Sequence, residues 1–390
     1  MSKLKNNMVV KLLIAIIIGI VLGSIVGEGI IQILSTVKYI AGQFIFFCVP
    51  LVIVGTIASS ITNLKSNASK MLGAAVIIAY LSSVGAALMS MVAGYAIIPH
   101  LNIPDTVGGL RDLPELLFQL DIPPIMSVIS ALVLAIVLGL TVIWTKSETF
   151  EKLLHEFNDM ILKAVEKMLI PVLPIYILTT FAGLAYEGGI TKQLPIFLKV
   201  IVLVIIGHFI WMAILYAIAG AISKKNPMEV FRHYAPAYLT AVGTMSSAAT
   251  LPVALKCAHK SSVLDKEIVD FAIPIGSTIH LCGSVLTETF FVMTISQILY
   301  GYIPSVGSMI LFIILLGIFA VGAPGVPGGT VMASLGIVVS VLLFDDAGVA
   351  LLMSIFALQD SFGTACNITG DGAIALMLTG LFKKDKKAIN

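Results

Sequence analysis

The sequence predicts an all-α integral membrane protein with eight transmembrane helices and two re-entrant helical hairpins. Three observations lead there. Of 390 residues, 58% are apolar and 11% charged, against roughly 25% charged in an ordinary soluble chain, and mean hydropathy is +1.07. Apolar runs repeatedly exceed the ~20 residues that a helix needs to cross a bilayer. Most basic residues fall on one side of the membrane under a single topology, worked out below, with Lys192 and Lys199 as exceptions.

The first span, 9–28, follows Lys3 and Lys5 in the charge order of a signal peptide. Its apolar run is too long for a usual h-region and no small-x-small cleavage site follows, so it reads as a retained span. Further spans fall near 36–62, 71–98, 122–145, 165–186, 197–222, 268–299 and 348–382. Residues Ser147–Lys167 alternate charged and apolar side chains and read as a helix at the cytoplasmic interface.

Two apolar pieces, near 234–258 and 305–343, fit poorly as simple spans. One is interrupted by Gly243-Thr-Met-Ser-Ser-Ala-Ala-Thr-Leu-Pro252, the other by Val321-Gly-Ala-Pro-Gly-Val-Pro-Gly-Gly-Thr330. With both termini cytoplasmic, the clusters at Lys65 and Lys70, Lys146 to Lys167, Lys224 to Arg232, Lys256 to Lys266 and Lys383 to Lys387 all fall inside. That satisfies the positive-inside rule only if each broken piece enters and leaves on its own side. Two broken segments inserted from opposite faces point to a midplane site built from inverted repeats. A net charge of +2 makes no case for nucleic acid. The four cysteines are scattered without CxxC spacing, which implies neither a disulfide framework nor a zinc site.

The chemistry concentrates near the C-terminus. Asp360, Thr364, Asn367 and Asp371 are spaced four, three and four apart, so they share one face of a helix wrapped in Leu, Ile, Phe and Met. Ionisable groups at membrane depth tend to face a protein interior or a water-filled cavity. The stripe therefore reads as a site for a polar ligand or a cation, with a polar helix–helix contact as the plain alternative. A channel would also use re-entrant loops, but would not need two carboxylates on one helix. An intramembrane aspartyl protease needs carboxylates on facing helices. These two share one helix, roughly 16 Å apart.

The two hairpin motifs Ser246-Ser-Ala-Ala-Thr-Leu-Pro252 and Gly325-Val-Pro-Gly-Gly329, together with Asp360…Thr364…Asn367…Asp371, resemble the dicarboxylate/amino acid:cation symporters, the glutamate-transporter homologues. The resemblance covers essentially the whole chain, including Pro50 and Asp121-Ile-Pro123, and in motif is nearest to the serine/threonine transporter branch. It implies an elevator-type transporter, not an enzyme, assembled as a homotrimer in the cell membrane. Residues 1–70 and 100–190 would form a scaffold, and 71–99 and 191–390 a moving transport domain. Substrate would lie between the hairpin tips and the last span. It would be bound by Ser246, Ser247, Val326, Gly329, Asp360, Gly363, Thr364 and Asn367. Asp360 would take the α-ammonium; Asn367 and the amides near Ser246 would take the α-carboxylate.

Acidic amino acid transporters of that family carry Arg at the position of Gly363, and some carry a second where Met245 stands. The chain has two arginines, Arg111 and Arg232, both expected outside the site. A second substrate carboxylate would lack a guanidinium partner, at a cost of several kcal/mol. The expectation is therefore a small neutral amino acid such as serine, threonine or alanine, with an acidic amino acid or dicarboxylate as the alternative.

Ion coupling departs from the family pattern. Its usual Asn-Met-Asp-Gly-Thr is replaced here by His280-Leu-Cys-Gly-Ser284. Cys282 removes a sodium-binding carboxylate and Leu281 a methionine sulfur, although Val321 to Ala323 keep their carbonyls. A third set, Gly276, Thr278, His280, Asn367 and Asp371, is retained for Na⁺. Tyr80, Ser82 and Ser83 are candidates to line the same region. His280 and Glu288 are the candidates for carrying a proton, with His280 bonding a hairpin backbone as the plain reading. His100, His155, His208, His233 and His259 are assigned to loops or interfaces. The expected coupling ion is Na⁺, H⁺ or both, with no cofactor.

Overall fold

The structure, a computed structural model, describes residues 8–63, 69–101, 113–188, 190–323 and 327–382. Lys3, Lys5, Lys65, Arg111, Gly325, Val326, Lys383 and Lys387 lie outside them. Among the described residues every long element is a helix. They are α1 (Met8–Ile25), α2 (Glu28–Asn63), α3 (Ser69–Ile97), α4 (Val128–Thr145), α5 (Glu148–Ala164), α6 (Ile170–Glu187) and α7 (Ile190–Ser223). After a short α8 (Pro227–Phe231) come α9 (Ala235–Thr244), α10 (Ser247–Ala258), α11 (Lys266–Ile279) and α12 (Cys282–Tyr300). The last three are α13 (Val306–Gly322), α14 (Gly329–Leu342) and α15 (Asp346–Phe382).

Among the described residues six stretches are long and apolar enough to cross a bilayer: Glu28–Ser59, Lys70–His100, Glu148–Tyr186, Pro195–Ser223, Lys266–Tyr300 and Asp346–Phe382. α1 and α4 carry shorter apolar stretches, Ile14–Ile25 and Val133–Thr145. Several expected boundaries move for local reasons. α4 starts at Val128 rather than near 122, because Pro123 and Pro124 disfavour helix before them and the Ser127 hydroxyl caps the new start by accepting from the Ser130 amide at 3.2 Å. The interface helix α5 runs into α6 through a wider π turn, Val165–Leu169. Pro171 and Pro174 follow at once and cannot donate to the preceding carbonyls, a common cause of such turns.

The expected span 268–299 is interrupted within the Lys266–Tyr300 stretch. It is two helices, α11 and α12, separated at His280 and Leu281. The broken pieces 234–258 and 305–343 divide where Ser/Ala and Gly/Pro composition placed their tips. α9 packs on α10, and α13 on α14.

α12 and α15 occupy the centre. α12 is buried continuously from Cys282 to Ser296, and α15 almost continuously from Gly348 to Thr379. α3, α7, α9, α11 and α14 pack around them. Outer helices show apolar side chains instead, such as Leu81 at 61% and Val92 at 64% exposure, the pattern of a lipid-facing surface. Between helices in lipid, close packing of small residues replaces the hydrophobic drive. Gly19 and Gly23 of α1 show this: a Cβ on either would collide with the α6 backbone at Leu178 or Ala182.

Candidate functional site

The polar stripe of α15 faces the places where neighbouring helices are broken. At its upper end Asp360, 4% exposed, accepts a hydrogen bond from the Gly328 amide through Oδ2 at 2.7 Å. Gly328 adopts φ +73°, a left-handed conformation that favours glycine, just before α14 begins at Gly329. The Thr364 hydroxyl also bonds the Asp360 carboxylate one turn on. The α13–α14 tip therefore meets α15 at the residue expected to bind an ammonium. A charge-assisted bond of this kind is worth roughly 1.5–3 kcal/mol.

Asn367 is used differently from the expectation. Its Oδ1 accepts from the Gly283 and Ser284 amides at 2.7 and 3.2 Å, and its Nδ2 donates to the Ser284 hydroxyl at 2.9 Å. α12 has no capping side chain of its own at Leu281. Asn367 supplies that cap from another helix, satisfying two N-terminal donors. One amide hydrogen remains for a ligand. Gly363 faces the same helix start: a Cβ there would make ordinary contact with Ser284 of α12 at 3.5 Å.

At the lower end Asp371 and His280 pair, Oδ1 to Nδ1, at 3.0 Å, both fully buried. The other ring nitrogen of His280 meets the Ser82 hydroxyl of α3 at 2.9 Å. The imidazole is thus held by two side chains, not by hairpin backbone. Gly276 lies so close that a Cβ on it would stand 2.7 Å from Asp371 Oδ1. Asp371 Oδ2 and Ser83 Oγ are buried with no protein partner among the described residues. Thr278 is not brought into this group; it is exposed, and its hydroxyl donates to the Ile275 carbonyl at 2.7 Å. Tyr80 reaches across to the Ile314 carbonyl of α13 at 3.4 Å.

The remaining expected residues sit at the junctions of α9 with α10 and of α13 with α14, and in α12. Ser246 caps α10, its hydroxyl accepting from the Ala249 amide at 3.2 Å, and Ser247 is buried beside it. Met245, φ +53°, forms the tight link from α9. Val326 falls outside the described residues. Glu288 is fully buried in α12 and accepts a hydrogen bond from the Ser334 hydroxyl of α14.

One cluster was missed. His208, assigned to a loop or interface, is fully buried in the middle of α7. Its Nε2 lies 3.0 Å from both the Gly283 carbonyl and the Thr287 hydroxyl, and Thr287 lies 2.8 Å from Gln359 Oε1. A carbonyl only accepts, so Nε2 carries the hydrogen. This chain ties α7, α12 and α15 together behind Asp360 and Glu288. The available signal was a histidine inside a 34-residue apolar helix, where an ionisable group calls for a partner.

A buried seam of carboxylates, amides and hydroxyls, set where three apolar elements are broken, defines a membrane transport protein. The chain matches the sodium:dicarboxylate symporter family over residues 8–381, and it belongs to that family. It is 31% identical to excitatory amino acid transporter 3 of Bos taurus over 261 residues, 66% of this chain and 48% of the relative. The corresponding Mus musculus protein is 29% identical over 266 residues, 67% and 50%. Excitatory amino acid transporter 1 of Ambystoma tigrinum is 28% identical over 227 residues, 56% and 41%. The chain spans about half the length of the curated relatives it matches. Family and relatives are transporters, not enzymes.

Proposed function

We propose that the chain is a cation-coupled secondary transporter of small neutral amino acids such as serine, threonine or alanine. Asp360 carries the reading: a buried carboxylate, held by the backbone of a broken segment, on a helix without arginine. An isolated buried carboxylate is costly, and a zwitterion's ammonium offsets that cost. The ammonium would replace the Gly328 amide when the 327–329 tip moves aside. The α-carboxylate would meet the start of α10, where Ser246 and Ser247 present backbone donors at a helix N-terminus, with the remaining Asn367 hydrogen. Arg232 supports the neutral side chain, being exposed and paired with Glu229 at 3.3 Å.

The second reading is an acidic amino acid or dicarboxylate symporter, and the comparisons favour it over the first. The family's description names dicarboxylates, and the relatives are named as excitatory amino acid transporters. Against it stands Gly363, which offers a second carboxylate no cationic partner.

For coupling, family membership supports Na⁺. Gly276, His280, Asn367 and Asp371 would contribute to its site, with the unpartnered Asp371 Oδ2 as the hard oxygen donor that Na⁺ favours. His280 and Glu288 are the candidates for an accompanying proton. The paired helices α9–α10 and α13–α14 support two re-entrant hairpins within an eight-span, inverted-repeat fold. The mutual packing of α1, α2, α4, α5 and α6 beside that of α3, α7 and α9 to α15 supports a scaffold and a separate transport domain moving as an elevator. Trimeric assembly and cytoplasmic termini in the cell membrane belong to the same reading.

Counterflow in proteoliposomes tests it, with Na⁺ and pH gradients imposed separately. Labelled serine is expected to accumulate against internal serine and to respond to the cation gradient. Accumulation of labelled aspartate but not serine would establish the second reading.

A further inference from the structure

A two-chambered cavity opens away from the polar seam, at the end of the bundle where α2 and α15 begin. The smaller chamber, about 160 Å³, is lined by Ser35, Lys38, Gln43, Tyr176 and Asp346 among others. The larger, about 370 Å³, is walled by Val49, Pro50, Pro124, Met126 and Val339. Gln43 and Asp346 line both, so the chambers adjoin. The larger falls within the usual range of a ligand pocket. Neither includes Asp360, Asn367 or Asp371.

The charges are specific. Lys38 projects from an apolar span and forms no ion pair within 4.0 Å among the described residues. Glu187, Asp345 and Asp346 all act on it from further away. The Asp345 carboxylate is occupied by the Tyr300 hydroxyl and the Gly348 amide. Asp346 is exposed at the start of α15 and lines both chambers. The polar chamber thus presents one ammonium and one accessible carboxylate, with two further carboxylates nearby. A purely anionic group meets Lys38 but is repelled by the rest. A group with a phosphate and an ammonium satisfies both.

We propose that this cavity binds a phospholipid whose headgroup carries a primary ammonium. Its phosphate lies on Lys38, its ammonium on Asp346, and an acyl chain enters the apolar chamber. A free amino acid would satisfy the charges but leave the larger chamber unused. α2, the segment leading into α4 and Tyr176 of α6 supply one wall, α14 and α15 the other, so the lipid bridges the two helix groups described above. The inference does not depend on which substrate the chain carries.

The test reads lipid retention, not transport. The full chain is reconstituted in vesicles of equal parts phosphatidylethanolamine and phosphatidylglycerol and released in mild detergent. Bound lipid is then counted by native mass spectrometry. Phosphatidylethanolamine is expected in excess over phosphatidylglycerol, and Asp346→Asn is expected to cut that excess about threefold, the range of an exposed ion pair. Val339→Phe, which fills the apolar chamber without touching the charges, is expected to lower retention of both lipids. Equal retention of the two lipids by the unmodified chain would overturn the proposal, as would an excess indifferent to Asp346→Asn. Displacement of the lipid by soluble glycerophosphoethanolamine at millimolar concentration would also overturn it, by showing that the chain-binding chamber contributes nothing.

Discussion

Replacing Asn367 with alanine tests how the centre of this bundle is held. α12 begins inside the protein with no cap of its own, and Asn367 accepts from two of its first amides at 2.7 and 3.2 Å. Asn367 is 1% and Ser284 2% exposed, so water does not replace the lost acceptor. Each buried donor left unpaired costs about 1–3 kcal/mol, so Asn367→Ala is expected to cost about 2–6 kcal/mol. Ser284→Ala removes only the 2.9 Å side-chain bond and is expected to cost about 1 kcal/mol. Thermal unfolding in detergent, followed by tryptophan fluorescence from Trp211 and Trp144, measures both. The two changes share a partner, so the double variant is expected to lose less than the sum of the singles. An Asn367→Ala protein melting with the unmodified chain would refute the cap, and an additive double variant would show that the residues act apart.

Three further outcomes follow from named contacts. Gly276→Ala places a methyl 2.7 Å from Asp371 Oδ1; it is expected to destabilise by about 1–3 kcal/mol and to weaken the Na⁺ dependence of uptake, read by Tm and by uptake against Na⁺ concentration. Glu288→Gln keeps an acceptor for the Ser334 hydroxyl and removes the ionisable proton, so uptake is expected to lose pH dependence, with Tm lowered because the new amide N–H groups replace a buried oxygen that has no partner among the described residues; a retained pH profile would place the proton elsewhere. Glu229, between α7 and α9, is the clearest case outside the spans. Burial would raise its pKa, but hydrogen bonds from the Ser261 hydroxyl and the Ser262 amide, with Arg232 close by, bring it from 4.5 down to about 2. A depressed pKa means stability present above the unfolded value and lost as pH falls through the folded one. Glu229→Gln is therefore expected to lower Tm at neutral pH, with the gap to the unmodified chain closing between 4.5 and about 2. A gap that persists below pH 2 would contradict this.

The fold was legible where composition is extreme. Apolar runs placed six long apolar stretches among the described residues, and Ser/Ala and Gly/Pro clusters placed the breaks between α9 and α10 and between α13 and α14. The break at His280 was not legible as a break, because it depends on Asn367, more than eighty residues away in the chain, capping a helix that local sequence would have continued. The α15 stripe could be read from its four, three, four spacing. What each member faces could not: Asp360 meets a backbone amide, Asn367 a helix start and Asp371 an imidazole. Thr278 lies two residues from His280 in sequence, yet points outward. His208 went unrecognised because its partners, the Gly283 carbonyl and Thr287, come from α12, and periodicity within α7 carries no trace of them.

Competition for uptake addresses the central question most directly. Serine, threonine and alanine are tested against glutamate, aspartate and succinate in proteoliposomes, with the chain unmodified and as Asp360→Asn. Neutral amino acids are expected to compete at the lowest concentrations, and every competitor with an α-ammonium, acidic or neutral, to lose potency with the Asp360 carboxylate. If glutamate, aspartate or succinate competes better than serine, a second negative group is accommodated beside Gly363 and the neutral-substrate account fails.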